Sequence, residues 1–320
     1  MKECIKVGLL GAGTVGSGVL TVLEENTAEI EKKVGVPIHV SKILVRDMKK
    51  AKELSEKYQL TDKIEDIVED PEIDIVVELI GREHPAKEYI AAALEHKKNV
   101  VTANKDVLAK YGKELFPLAE ENKVDFMFEA SVGGGIPIIR PLCTSLAQEH
   151  IESITGILNG TTNYILSKME NEEADFETVL KRAQEKGYAE RNPEADVCGY
   201  DAGRKIAILT SLAYGKNVDF ADLYVEGITQ ITRMDFAYAK KLGTTIKLFA
   251  KSQCIDGKYY AMVAPFMVTA DNPLYAVQNV FNAILVHGNM VGDTMYYGKG
   301  AGKLATASAV VADVIDCAKH

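Results

Sequence analysis

Lys205 follows Asp201 by four residues, so on a helix both project from one face, one turn apart. Upstream, residues 183–205 read AQEKGYAERNPEADVCGYDAGRK, a stretch broken by Gly and Pro that adds Glu190, Glu194 and Asp196. A lysine beside a carboxylate can give and take a proton at a carbonyl or hydroxyl oxygen. On an open helix surface the same pair would be worth only about 0.3–0.5 kcal/mol. Here it begins an apolar helix beside three further acids, which suits a pocket for a substrate with an ammonium group. Glu190 is the best placed of these acids to bind it. The six histidines, His39, His84, His96, His150, His287 and His320, lie singly along the sequence, outside any acidic constellation, so the acid–base expectation falls on Lys205.

Reducing a carbonyl takes a proton at its oxygen as hydride arrives at its carbon, and nicotinamide cofactors supply the hydride. The start of the chain carries the means to hold one. Residues 5–10 form a short apolar strand, Gly11-Ala12-Gly13-Thr14-Val15-Gly16 follows, and a helical pattern continues through Val19, Leu20, Leu23 and Ile30. This is GxGxxG between strand and helix, the setting in which the motif means dinucleotide binding. Gly11 permits the tight turn, Gly13 lets backbone amides approach a pyrophosphate, and Gly16 lets helix and strand pack closely. A second strand over 38–45 ends at Arg46-Asp47. At that place an acid holds the ribose 2′-hydroxyl of NAD, while an arginine favours the 2′-phosphate of NADP. Arg46 comes first and favours NADP; Asp47 leaves NAD open.

Strands over 74–80, 99–103 and 125–130 alternate with helices over about 85–96 and 105–122. That alternation predicts α/β architecture: a Rossmann doubly wound parallel sheet with helices on both faces. Gly13, Arg46, Gly81 and Lys105 all follow strands at the carboxyl edge, where ligands bind in such sheets. Glu129 to Pro137 leaves the sheet through three consecutive glycines. Its carboxylate and freed carbonyls could ligate a hard monovalent cation, but the sequence by itself reads more simply as a hinge.

The second half is α+β. A strand over 151–158 leads into Asn159-Gly160-Thr161-Thr162-Asn163, where Thr161 or Thr162 is expected to cap a helix. An amphipathic helix covers 176–186 and an apolar one 206–212. Strands over 247–254 and 259–267 form a hairpin around Asp256-Gly257. Gly298-Lys299-Gly300-Ala301-Gly302 precedes a final helix over 305–317, expected to pack back on the first domain. The expected domains are therefore 1–130 plus about 300–320, and 131–299.

The net charge of −9 argues against nucleic acid and anionic membranes as partners. No apolar run is long enough to span a bilayer, and the six-residue run at 5–10 is too short for a signal peptide. Five scattered cysteines make neither a zinc site nor a disulfide frame, so a reduced, cytoplasmic protein is expected.

Ala183-x3-Gly187-Tyr188-Ala189, Asn192-Pro193 and Asp196-Val197-x-Gly199-x-Asp201-x3-Lys205 resemble the signature of the homoserine dehydrogenase family. The likeness runs along the whole chain: GAGTVG at 11–16, TANKD at 102–106, EASVGGGIP at 129–137, NGTTNYIL at 159–166 and GKGAG at 298–302. The family interconverts L-aspartate 4-semialdehyde and L-homoserine with NAD(P)H, in threonine, methionine and isoleucine biosynthesis. Carried over by position, the resemblance implies Lys205 as proton donor and acceptor and Glu190 and Asp201 as substrate ligands, with Asp196 and Thr161 near the pocket. It implies cofactor contacts at Ala12, Gly13, Thr14, Val15, Lys105, Gly187 and Gly302. It also implies a monovalent cation, sodium or potassium, on Glu129, Val132, Gly134 and Ile136, and a homodimer built through the second, catalytic and dimerisation domain. The sequence stops at His320, so the ACT regulatory domain of many bacterial members is not expected. Cys198 occupies a variable position of the signature and could be redox-sensitive. Two alternatives stand beside this reading. One is a phosphorylating semialdehyde dehydrogenase, which needs a histidine-activated cysteine nucleophile. The other is a dinucleotide-sensing binding protein.

Overall fold

The computed structural model describes residues 2–48 and 51–319. It divides into two units, one built from the chain up to Gly135 together with Gly302 onward, the other from Ile136–Ala301.

The first unit runs β1 (Ile5–Leu10), α1 (Thr14–Glu25), α2 (Thr27–Val34), β2 (Ile38–Leu44), β3 (Gln59–Thr61), α3 (Glu65–Val68), β4 (Ile75–Glu78), α4 (Ala86–Glu95), β5 (Asn99–Thr102), α5 (Lys105–Asn122) and β6 (Phe126–Met127). Its six strands lie in the order β3-β2-β1-β4-β5-β6, and every pairing is parallel. The central strands are short, nearly continuous apolar runs because helices cover both faces of the sheet, as in β4, where all four residues are buried. The α/β expectation therefore holds. The strand expected over 125–130 is cut to two residues, because Glu129–Ser131 tightens into a 3-10 turn. That turn is held by the last helix, where Asp313 Oδ2 accepts from the backbone N–H of Glu129 at 2.8 Å.

The last helix belongs to this first unit. Its Val310, Val311 and Val314 share a core with Val19, Leu20 and Leu23 of α1. The two helices meet closely at Gly18, where an added Cβ would lie 2.7 Å from the carbonyl oxygen of Lys303 and 2.9 Å from Ala307 Cβ.

The second unit runs β7 (Ile151–Ile157), α6 (Gly160–Glu172), α7 (Phe176–Glu185), α8 (Glu194–Val197), α9 (Tyr200–Tyr214), β8 (Tyr224–Val225), α10 (Arg233–Lys241), β9 (Thr244–Ile255), β10 (Lys258–Thr269), β11 (Phe281–Gly288) and β12 (Gly292–Lys299); α11 (Lys303–Cys317) is the helix returned to the first unit. Its sheet is ordered β12-β11-β7-β9-β10-β8, and α6 and α9 pack on it. The expected hairpin turns at Asp256 and Gly257, both at positive φ (50° and 72°), which matches the twist of the flanking strands. It is longer than the periodicity suggested, with twelve residues in each strand. No helix among the described residues is long and apolar enough to cross a membrane.

One buried cation sits in this sheet. Lys247 on β9 is 0% exposed and donates from Nζ to the carbonyl of Val277 at 2.6 Å. Burial pulls its pKa down to about 8, against an opposing pull from Glu170. The unfolded chain, with lysine near its ordinary value, then binds more protons than the native state between pH 8 and about 10.5. Stability should rise with pH through that window, and the full desolvation penalty applies below it. Lys247→Met keeps the length of the side chain, and Asn163 Nδ2 still reaches the Val277 carbonyl at 3.3 Å. The variant should be about 1–3 kcal/mol more stable than the parent at pH 7, with the gap closing towards pH 10. Denaturant titrations at a series of pH values check this; a variant less stable at every pH would show that the lost hydrogen bond outweighs desolvation.

Candidate active site

Asp201 and Lys205 occupy the first two turns of α9, and the helical spacing brings them together as expected. Lys205 Nζ donates to Asp201 Oδ2 at 2.7 Å and to the carbonyl of Leu158, at the end of β7, at 2.8 Å. The two side chains are only 12% and 11% exposed. This is not the loose surface pair that the bare spacing would also allow. An ammonium has three donors, and these two bonds fix the direction in which Nζ points.

Asn159 assembles the rest of this cluster. Its Nδ2 donates to Asp201 Oδ2 at 2.9 Å and to Asp196 Oδ1, on α8, at 2.7 Å. Its Oδ1 accepts from the backbone N–H of Thr162 at 2.8 Å, which makes Asn159 the N-cap of α6. The expectation that Thr161 or Thr162 would cap this helix is thereby corrected. The cap lies one residue before the helix, and both threonines fall inside its first turn, where their own N–H groups need acceptors. Thr161 Oγ1 instead donates to the carbonyl of Tyr188 at 2.6 Å and ties the start of α6 to the turn after α7. Gly187 in that turn has φ of +72° and open space where a Cβ would stand. Glu190 follows on the same turn; its side chain is exposed, and its carbonyl accepts from Gln184 Nε2 at 3.1 Å. Thus Asp196, Asp201, Lys205 and Asn159 converge, while Glu190 stands out towards solvent.

α8 itself is only four residues long, so it is placed by its surroundings. Ile228 N–H donates to the Val197 carbonyl at 2.8 Å. The neighbouring Gly227 sits so close that an added Cβ would be 2.1 Å from that same oxygen.

In the first unit, Gly11 turns at φ +98° and donates its N–H to the Leu44 carbonyl at 3.0 Å. Gly13 is the N-cap of α1, and a Cβ there would meet nothing within 4 Å. A backbone this open at a helix N-terminus suits an approaching phosphate. Gly11, Ala12 and Gly13 line a cleft of about 800 Å³ together with Arg46 and Asp47 beyond β2 and Ile80 beyond β4. Thr14 and Val15 open α1, Gly81 has φ of +76°, Lys105 opens α5, and Gly302 (φ +129°) is the N-cap of α11. Arg82, His84 and Tyr89 also line the cleft, and sequence reading missed all three as site residues. The signal was their position after β4, beside Gly81. Nor is His84 isolated: its Nδ1 lies 2.7 Å from Glu88 Oε1, and His287 Nδ1 lies 2.6 Å from Asp293 Oδ1. Of the residues implied for a cation, Glu129 is buried, Val132 follows its 3-10 turn, Gly134 has φ of +55° and Ile136 is buried.

A family model described as homoserine dehydrogenase matches residues 137–315, and the model of the homoserine dehydrogenase NAD-binding domain matches residues 11–129. The chain is 46% identical over 319 residues to the homoserine dehydrogenase of Bacillus subtilis, covering 99% of this chain and 74% of that one. The chain belongs to the homoserine dehydrogenase family. It is an NAD(P)-dependent oxidoreductase of amino-acid biosynthesis, acting on aspartate semialdehyde and homoserine. The crystal structure of a homoserine dehydrogenase from Thiobacillus denitrificans superposes with a TM-score of 0.96 at 47% identity, over 99% of this chain and 74% of that chain. A hyperthermophilic archaeal homoserine dehydrogenase in complex with NADPH superposes with a TM-score of 0.83 at 29% identity, over 98% and 97%. Membership in the homoserine dehydrogenase family replaces the cysteine-nucleophile and sensor alternatives.

Proposed function

We propose that Lys205 moves the proton in this reaction. The observation that carries the reading is its nearly buried ammonium, aimed by Asp201 and the Leu158 carbonyl. In the reducing direction the Lys205 ammonium gives a proton to the aldehyde oxygen of aspartate semialdehyde and becomes a neutral amine. In the oxidising direction the amine takes the proton of the homoserine hydroxyl. The bound nicotinamide supplies or receives the hydride at the adjoining carbon. Asp201 keeps Nζ in place, and Asn159 in turn restrains Asp201, so the donor does not have to reorganise during the reaction. Glu190 and Asp201 bind the substrate, with Asp196 and Thr161 beside them; the ammonium of the substrate suits the carboxylates. Turnover of Lys205→Ala, read against its cofactor affinity, tests this assignment, and near-wild-type kcat would overturn it.

The cofactor reading is NADP in preference to NAD. It is supported by Arg46 on the cleft and by the NADPH complex of the archaeal relative. Gly11, Ala12, Gly13, Thr14, Val15, Gly16, Gly81, Lys105, Gly187 and Gly302 complete its contacts. Arg46→Ala should raise KM for NADPH by roughly 10-fold or more and leave KM for NADH within about twofold, since a charge-assisted bond to phosphate is lost in only one case. Equal effects on both cofactors would mean that Arg46 does not read the 2′-phosphate. We further read a sodium or potassium ion onto Glu129 and the carbonyls of Val132, Gly134 and Ile136, supported by a glycine-rich backbone at positive φ. A homodimer is supported by the outward face of β12, where Met295 and Tyr297 are exposed. The domain division carries these roles: cofactor on 1–130 plus about 300–320, substrate and dimer on 131–299.

A further inference from the structure

Glu78 ends β4 with its carboxylate entirely buried, between Leu10 of β1 and Thr102 of β5. Its Oε1 accepts from the backbone N–H of Ile80 at 2.6 Å, and its Oε2 from the Thr102 hydroxyl at 2.6 Å. The Gly81 N–H and the Asn104 side chain also act on it, and together these groups oppose the rise in pKa that burial imposes. The network continues outward. Thr102 Oγ1 accepts from the Asn104 N–H at 3.0 Å, Asn104 Nδ2 donates to the Arg82 carbonyl at 2.9 Å, and Asn104 Oδ1 caps α5 through the Val107 N–H at 3.2 Å. One buried acid therefore locks two loops of the carboxyl edge into a single piece: residues 80–82 after β4, and residues 102–107, which carry Lys105.

A carboxylate is an expensive way to fill a strand end, since burying a charge costs more than burying an aliphatic side chain of similar size. What it provides is acceptors for backbone N–H groups in a loop with no strand partner. The loop it holds is the floor of the dinucleotide cleft, through Leu79, Ile80 and Arg82. We infer that Glu78 is a positioning residue for the cofactor, setting the backbone of residues 80–82 and the start of α5 in the conformation that receives the dinucleotide. The part concerning α5 rests on the reading of Lys105 as a cofactor contact.

The full chain tests this with Glu78→Ala, Glu78→Gln and Lys105→Ala, each measured for NADPH binding by nicotinamide fluorescence, for KM of cofactor and of homoserine, for kcat and for thermal unfolding. Alanine leaves the Ile80 and Gly81 N–H groups without their acceptor. It should weaken NADPH binding about 10-fold or more, while KM for homoserine stays within about twofold. Glutamine retains one carbonyl acceptor and a group that can face the Thr102 hydroxyl, so it should recover most of the affinity. If the alanine variant does not fold, the glutamine variant decides. A small loss, about 2–5-fold, confined to the cofactor supports the inference, and unchanged cofactor binding overturns it. Equal losses for cofactor and homoserine, tracking a lowered Tm, would also overturn it, because a merely structural role predicts that pattern. Normal NADPH affinity in Lys105→Ala alongside weakened binding in Glu78→Ala would sink the Lys105 contact and leave the positioning of residues 80–82 standing.

Discussion

Lys205→Ala should lose about 10²–10⁴-fold in kcat, the usual cost of removing a general acid–base group, with NADPH affinity unchanged. The fold should tolerate it. Asp201 keeps the Asn159 amide as a partner and alanine is a better helix former than lysine, which limits the cost of losing the ammonium beside Asp201 and the donor to the Leu158 carbonyl. Lys205→Arg sharpens the test. Arginine keeps the positive charge and can still reach Asp201, but its guanidinium does not release a proton in the working pH range. If Lys205 served only to hold the substrate electrostatically, arginine would retain much of the activity. If it moves a proton, arginine should be nearly as inactive as alanine. Steady-state rates for homoserine oxidation, with cofactor binding measured separately, distinguish the two outcomes.

The second large effect separates two glycines three residues apart. At Gly16 an added Cβ would lie 2.2 Å from the Gly11 carbonyl oxygen and 3.0 Å from its carbon, both backbone atoms of a turn that has no room to give. Gly16→Ala should therefore force β1 and α1 apart and destabilise the protein by on the order of 3 kcal/mol. Gly13 has φ of −70°, which alanine adopts without strain, and empty space at the Cβ position. Gly13→Ala should leave Tm unchanged yet raise the cofactor KM at least about 10-fold, because the methyl group stands where the pyrophosphate approaches the helix N-terminus. Thermal unfolding and cofactor titration of both variants check the contrast. A Gly13→Ala enzyme with normal cofactor KM would move the pyrophosphate away from this turn.

Much of this was legible in the residues themselves. Short apolar strands between helical stretches gave the parallel sheet, and four-residue spacing brought Asp201 to Lys205. What stayed hidden depends on convergence in space. Asn159 looks like one polar residue in a run of five, and only the meeting of β7, α6, α8 and α9 makes it the hub of the cluster. His84 and Glu88 lie four residues apart, but His84 stands before α4 begins, where helical spacing does not by itself bring side chains together. β12 escaped because Met295 and Tyr297 sit on its exposed face, so the alternation that marks a half-buried strand is blurred. β3 has only three residues, too few for any period to show.

The seating of α11 against α1 has a consequence for how the protein is made. Chains emerge from the ribosome at about 5–20 residues per second, and domains generally fold as they emerge. The nucleotide-binding sheet emerges first, but the helix that covers Val19, Leu20 and Leu23 is encoded only after all of Ile136–Ala301. For on the order of 10–30 s, the nascent first unit carries an uncovered apolar flank while the inserted unit is synthesised and folds. Completion of the cofactor domain is thus a late event in biogenesis, after the inserted unit has been made.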